Sequence, residues 1–195
     1  MKHPSNRDLF EYWNERRGER LAPERADIEP GAIRHVLGDT FVIEASGGVE
    51  NHVFRLAGTR ICALFGRELK TESFTRLWQR SGQTAIRELI AVVIDEKVGI
   101  VASVSGATSD DTLAPVDLEM LLLPLAFQSR SEARVLGALA PMSTPYWLGA
   151  KAIGPLTLGM FRHIGAAADA MAPRFKAANG RIKHGLTVYD GGRAG

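Results

Sequence analysis

The sequence has a single cysteine, no long apolar run and little net charge. One cysteine, Cys62, excludes an internal disulfide and cannot by itself hold a structural zinc ion. The longest apolar run, from Met120 to Phe127, contains Pro124 and is much shorter than the roughly 18 residues that a membrane-spanning helix needs. The amino terminus is charged where a signal peptide would be apolar. We therefore expect no transmembrane segment and a cytoplasmic location.

The composition that is present is that of a globular protein. The 195 residues, 45% hydrophobic and 24% charged, favour one domain with appendages. The net charge of +2 is uneven, because residues 151–195 hold seven basic and two acidic side chains while residues 39–150 carry a net charge of −3. This basic tail is either a solvated extension or a surface for anionic lipid or nucleic acid. The sequence shows no DNA-binding motif.

An amino-terminal helix is indicated by a capping-box-like start at Ser5 and Asp8, followed by helix-forming residues up to Gly18. Its large apolar side chains are Leu9, Phe10, Tyr12 and Trp13. They offer more apolar surface than one short helix usually needs for docking, and aromatic residues are enriched at the centres of interfaces. We therefore expect the helix to cover an open sheet face and to pack against a second subunit, which gives a homodimer.

The remaining pattern alternates between strand and helix signals. Period-2 or β-rich runs predict strands at 40–45, 52–57, 99–108, 116–127 and 133–140. Helical signals lie at 30–38, 60–65, 74–80 and 83–96, and residues 156–164 can dock as a strand or a short helix. This order predicts an α+β fold with a five-stranded antiparallel sheet and a block of helices on one face.

Three segments follow from this pattern. Residues 1–38 form an amino-terminal helical extension, residues 39–141 form the core, and residues 142–195 form a partly flexible, basic carboxy-terminal extension. No internal repeat is apparent.

Specific motifs give the chain a family resemblance. The segment from Phe54 to Leu69, in which a small apolar helix ends in Leu-Phe-Gly, resembles the PAS segment that runs from the second strand into the helical block. Residues 10–141 resemble the stand-alone PAS proteins of alphaproteobacteria, long grouped as a domain of unknown function. In these proteins a Tyr-Trp helix and an element like that from Ile33 to Asp39 precede the core. The resemblance implies a non-enzymatic sensory or regulatory module that signals to a partner protein.

The resemblance also implies a cleft between the helices and the sheet, whose side chains either fill the core or line a pocket for a small apolar ligand. The residues expected there from the helical side are Leu56, Cys62, Phe65, Phe74, Trp78 and Ile86. Those expected from the sheet are Val101, Ser103, Met120, Leu122 and Leu136. A polar group such as Ser103 in the cleft would distinguish a binding pocket from plain packing.

The resemblance favours neither flavin nor haem. Light-sensing PAS proteins surround their reactive cysteine with an Asn and a Gln that bind flavin, whereas this chain has Ile61 beside Cys62 and lacks the Gln. Haem-binding PAS sensors take a histidine from the long helix, and residues 67–98 contain none. The five histidines also lack the close pairing of a metal site. We expect no cofactor, or an unidentified small ligand.

Two alternative functions remain open. A thiol or hydrolytic enzyme could use Cys62 with a histidine distant in the chain, although no catalytic motif is present. A surface-binding protein could use its tail, residues 165–195, on anionic lipid or nucleic acid, and its binding would then weaken steeply with salt.

Overall fold

The computed structural model describes residues 1–45, 52–108, 113–127, 133–147 and 149–165. Within these ranges the chain forms three α-helices, which are α1 (Pro4–Arg17), α2 (Thr59–Phe65) and α3 (Gln83–Glu96). It also forms six strands, which are β1 (Thr40–Ala45), β2 (His52–Ala57), β3 (Gly99–Thr108), β4 (Val116–Pro124), β5 (Arg134–Pro141) and β6 (Ile153–Ile164). Short 3-10 helices occupy Arg25–Asp27, Pro30–Ile33, Leu37–Asp39, Phe74–Leu77 and Arg80–Gly82.

The strands form one antiparallel sheet in the order β2-β1-β5-β4-β3-β6. The α+β fold with an antiparallel sheet is thus confirmed, but the sheet has six described strands where the sequence predicts five. The sixth is β6, which pairs along β3 from Ile153 to Ile164. Gly154, Pro155 and Gly159 obscure its strand pattern in the sequence. Pairing with β3 supplies the hydrogen bonds that its backbone requires.

Each face of the sheet carries its own hydrophobic core. Along β4, Met120 and Leu122 pack under α2 and α3, whereas Leu121 and Leu123 pack under α1. This division follows from the two-residue period of a strand, which sends successive side chains to opposite faces. The prediction that α1 covers the face opposite the helical block is therefore confirmed.

The start of α1 differs from the prediction. The helix begins at Pro4, and the Nδ1 atom of His3 accepts a hydrogen bond from the Ser5 backbone N–H at 3.2 Å. The Ser5 hydroxyl donates instead to the Asp39 carboxylate at 2.6 Å. The residue that caps the helix is therefore His3 and not Ser5.

Two predicted helices are broken into 3-10 turns. The run 30–38 divides into Pro30–Ile33 and Leu37–Asp39, and the run 74–80 divides in the same way before α3. Glycine within a short run disfavours a continuous α-helix, which fits Gly31 and Gly38. None of the helices in the described ranges combines the length and the apolar character needed to cross a membrane.

Candidate functional site

The cleft between the helical block and the sheet is occupied by stacked aromatic rings. Phe74 lies at the centre, with ring-centroid distances of 5.3 Å to Phe41, 5.5 Å to Phe54 and 5.9 Å to Trp78. All four side chains are at most 2% exposed. Offset and edge-to-face arrangements of this kind stabilise a packed interior.

Most of the predicted cleft residues meet in this core. The buried ones are Phe65, Phe74, Trp78, Ile86, Met120 and Leu122. Cys62 is half-buried and packs against them from α2. The side chains that the sequence assigned to the helical block are thus brought together, apart from Leu56.

Three of the predicted sheet residues point away from the cleft, and their placement corrects the prediction. Val101 and Leu136 are buried under α1 in the opposite core. Ser103 is exposed, and its hydroxyl donates to the Met160 carbonyl oxygen of β6 at 3.1 Å. The inward positions of β3 are Ile100, Ala102 and Val104. An error of one residue in the phase of a strand exchanges its two faces, which explains the mistake.

Leu56 is also misplaced by the prediction, because it is 42% exposed. The pairing of β1 with β2 shifts register between Val42 and Ile43, so that Val42 opposes Leu56 while Ile43 opposes Phe54. Such a β-bulge interrupts the alternation of side chains. Phe54 therefore faces the cleft and Leu56 does not.

The thiol of Cys62 is in a poor environment for a nucleophile. Burial first, and then the negative charge of Glu68, raise the pKa of Cys62. The Sγ atom donates to the Glu68 Oε1 atom at 3.6 Å. Because the thiolate is the reactive form, a raised pKa argues against catalysis by this residue.

Replacing Cys62 with serine is expected to change the free energy of unfolding by about 1 kcal/mol or less, because the side chain is half-buried and weakly bonded. Urea unfolding measures this change. Rapid reaction of the wild-type thiol with a disulfide reagent at neutral pH would contradict the account of its pKa.

The histidines in the described residues do not form a metal centre. No group of three His, Cys, Asp or Glu side chains comes together within these ranges. His52 is 5% exposed, and its Nδ1 atom has no hydrogen-bond partner in the described part of the chain. Burial first, and then the positive charge of Arg87, lower the pKa of His52.

Acidification from about pH 7 to pH 5 is expected to destabilise the fold partly through His52. The folded-state pKa lies below the usual value of 6.5, so the unfolded chain binds a proton that the folded chain does not. Stability present above pH 6.5 is therefore lost as the pH falls through the folded pKa. Urea unfolding across this range measures the slope, which His52→Gln should flatten. An unchanged slope in this variant would contradict the assignment.

The carboxylate of Glu119 binds the start of α1 to the sheet. Glu119 of β4, 8% exposed, accepts hydrogen bonds from the backbone N–H groups of Lys2, at 2.8 Å, and of His3, at 3.0 Å. The fully buried Asn6 donates both to this carboxylate, at 3.1 Å, and to the Glu119 carbonyl oxygen, at 3.0 Å. A buried charge is stable only with such partners.

A second carboxylate, that of Asp39 immediately before β1, links α1 to α2. Asp39, 3% exposed, accepts from the Ser5 hydroxyl at 2.6 Å and from Arg60 Nε and Nη2 at 2.6 and 2.8 Å. The Asp39 carboxylate in turn raises the pKa of Arg60. A Cβ atom at Gly58 would collide with the Leu37 carbonyl oxygen, so this glycine allows α2 to begin close to the turn that holds Asp39.

The side chains expected at a dimer interface are engaged within the chain. Leu9 and Trp13 are at most 1% exposed, and Trp13 Nε1 donates to the Pro124 carbonyl oxygen at 2.8 Å. Phe10 stacks on Trp13, and Tyr12 accepts a hydrogen bond from the Glu29 N–H at 2.8 Å. Leu9 and Trp13 therefore have no surface left for a second subunit, and only Phe10 and Tyr12 are partly exposed.

The homodimer itself stays a prediction. Sedimentation of the full chain at tens of micromolar measures it, and a Phe10→Ala, Tyr12→Ala double variant should shift a dimer towards monomer, because these two partly buried rings would form the contact. A wild-type monomer at that concentration would contradict it.

Sequence reasoning missed Glu119 and assigned no role to Asp39. One signal for Glu119 was available, since it is the acid that directly precedes the apolar run Met120 to Phe127. Asp39 ends the motif that begins at Ile33, which carries the family resemblance. The basic tail from residue 166 onward and the turn 109–112 lie outside the described residues, so predictions about them stay as stated.

Comparison with known proteins supplies the family. A comparison with curated proteins finds no match. A family model described as PAS domain matches residues 1–140, a range that includes α1 and runs into β5. The match covers most of the chain, and the antiparallel sheet flanked by helices is consistent with it. The chain therefore belongs to the PAS domain family.

Proposed function

We propose that this protein is a non-enzymatic sensory or regulatory PAS module that acts by binding another protein through a surface controlled by α1. Membership of the PAS family supports a sensory or regulatory role in general. The observation that carries the finer proposal is the Asp39 carboxylate, which binds α1 through Ser5 and the helical block through Arg60. A change in the helical block can thus reach α1 on the opposite face of the sheet.

The trigger in this proposal is a small apolar ligand in the cleft. The cleft is lined by apolar and aromatic side chains, including Phe65, Phe74 and Met120. Entry of a ligand would displace the stacked rings and move α2, which begins beside the Asp39 bridge. Native mass spectrometry of the purified protein tests for such a ligand, since a bound molecule adds its mass to the chain.

The coupling is tested by hydrogen exchange of α1. Arg60→Gln removes the ion pair to Asp39 without touching α1, and it is expected to speed amide exchange in the first turn of α1, because Asp39 is then held less firmly. Arg55→Gln is the matched control, since it breaks the ion pair with Glu44 between β1 and β2. Equal exchange in both variants would contradict the coupling.

The partner is tested by proximity labelling with the full chain in cells that naturally produce it. The set of labelled proteins should change with Asp39→Asn, which removes the charge that pairs with Arg60, and should stay the same with Glu44→Gln. Labelled sets that are identical for wild type and Asp39→Asn would count against control by α1.

A further inference from the structure

A polar hollow of about 700 Å³ lies on the outside of the helical block, away from the apolar cleft. It is formed by the start of β2, the turns at 71–76 and the start of α3, and a second hollow adjoins it through shared residues. The residues that matter for its chemistry are Ser73, Thr75, Arg76, Arg80, Gln83 and Arg87.

The charge of the hollow is uncompensated. Arg76 and Arg87 line both hollows and Arg80 lines the adjoining one, and none of the three forms an ion pair with a carboxylate in the described part of the chain. Glu72 also lines the hollow, but both of its carboxylate oxygens accept from Arg67 Nε at 3.1 Å. The hollow therefore keeps an excess of positive charge.

Arg87 has a buried hydrogen-bond donor that lacks a partner among the described residues. Its Nε atom is buried, and no hydrogen-bond acceptor lies within reach among the described residues. A buried donor without a partner is costly in a folded protein. The charge of Arg87 also reaches the buried His52, whose pKa it helps to lower. An anion in the hollow would balance the charge of Arg87, whose side chain lines it.

The amino-terminal end of α3 adds to the positive potential of the hollow. The helix begins at Gln83, its N-cap Gly82 provides no side-chain cap, and no acidic residue lies in its first turn. The amino-terminal end of a helix carries a partial positive charge, although the Gln83 N–H already donates to the Arg80 carbonyl oxygen of the preceding turn. Gln83 and Thr84 of this first turn line the hollows beside the arginines.

We propose that this hollow is a binding site for a small anion that carries phosphate or carboxylate groups. The guanidinium groups of Arg76, Arg80 and Arg87 would bind it, because their planar forks match both groups. The Ser73 and Thr75 hydroxyls share one hydrogen bond of 2.9 Å, which leaves one hydroxyl proton to orient the anion. This inference does not depend on the proposed function, since the apolar cleft and α1 take no part in it.

The arginine Nε resonances of the ¹⁵N-labelled full chain give a direct test. Inorganic phosphate and citrate are titrated separately, so that the two arms distinguish phosphate from carboxylate recognition. We expect a saturable shift of the Arg87 Nε resonance at millimolar or lower concentration of at least one probe. The absence of a saturable shift with both probes would overturn the proposal.

Variants separate a built site from general attraction to positive charge. Arg87→Gln and Arg76→Gln should each weaken binding about tenfold, because each removes a charge-assisted hydrogen bond. Arg34→Gln is the control, since Arg34 is exposed, lines neither hollow and follows Ile33, which packs in the core under α1. Equal weakening by Arg34→Gln would overturn the proposal. If Arg87→Gln fails to fold, the exposed Arg76 and Arg80 still decide the outcome.

Discussion

Replacing Trp13 with alanine is expected to lower the free energy of unfolding by about 3–5 kcal/mol. Trp13 lies on the buried face of α1 and is 1% exposed, and its Nε1 atom donates to the Pro124 carbonyl oxygen at 2.8 Å. The change removes the largest side chain of this core and leaves a buried carbonyl oxygen without its donor. Urea unfolding followed by far-ultraviolet circular dichroism measures the loss without relying on tryptophan fluorescence.

Phe10→Ala provides the matched control for Trp13. Phe10 lies on the same helix and stacks on Trp13 with a centroid distance of 6.0 Å, but it is only partly buried. We expect a loss of less than half that of Trp13→Ala, since less apolar surface leaves the core. Equal losses would show that the burial of Trp13 does not hold α1 on the sheet.

Replacing Glu119 with alanine is expected to lower the free energy of unfolding by about 2–3 kcal/mol and to release the start of α1. The backbone N–H groups of Lys2 and His3 lose their acceptor, and Asn6 keeps only the backbone carbonyl oxygen. Urea unfolding measures the loss, and hydrogen exchange over residues 2–7 locates it.

Asp117→Ala is the control for Glu119→Ala. Asp117 is an exposed acid on the same strand, so its replacement removes the same charge. It should change stability by about 0.5 kcal/mol or less and leave exchange in α1 unaltered. Similar effects of the two substitutions would mean that general charge, rather than the contact with the start of α1, is responsible.

Local pattern was sufficient for much of the secondary structure. The predicted bounds of β1, β2 and β3 agree with the structure, as does α3 from Gln83 to Glu96. These elements have a clear hydrophobic period and end at glycine or polar turn residues, so neighbouring residues alone fix them. The short 3-10 turns at 30–38 and 74–80 were harder to predict, because a single turn is too short to show a hydrophobic period.

The cleft could be predicted only in part. Phe74 and Ile86, which the family resemblance places in the cleft from the helical side, lie in the core beneath the helical block. Val101 and Ser103 were assigned to the wrong face of β3, since both of its faces are covered and both carry small or apolar residues. The prediction that Leu56 lies in the cleft was wrong, because a β-bulge leaves little trace in the sequence.

The sequence by itself determined the fold class, most element bounds, the family resemblance and the packing of α1 on the sheet. Only the tertiary structure decided that Glu119 holds Lys2, that Asp39 joins Ser5 to Arg60, and that three arginines share one hollow. The physical reason is the range of the interactions. Hydrophobic periodicity is local, whereas a hydrogen bond between residues 2 and 119 depends on the chain path that brings them together.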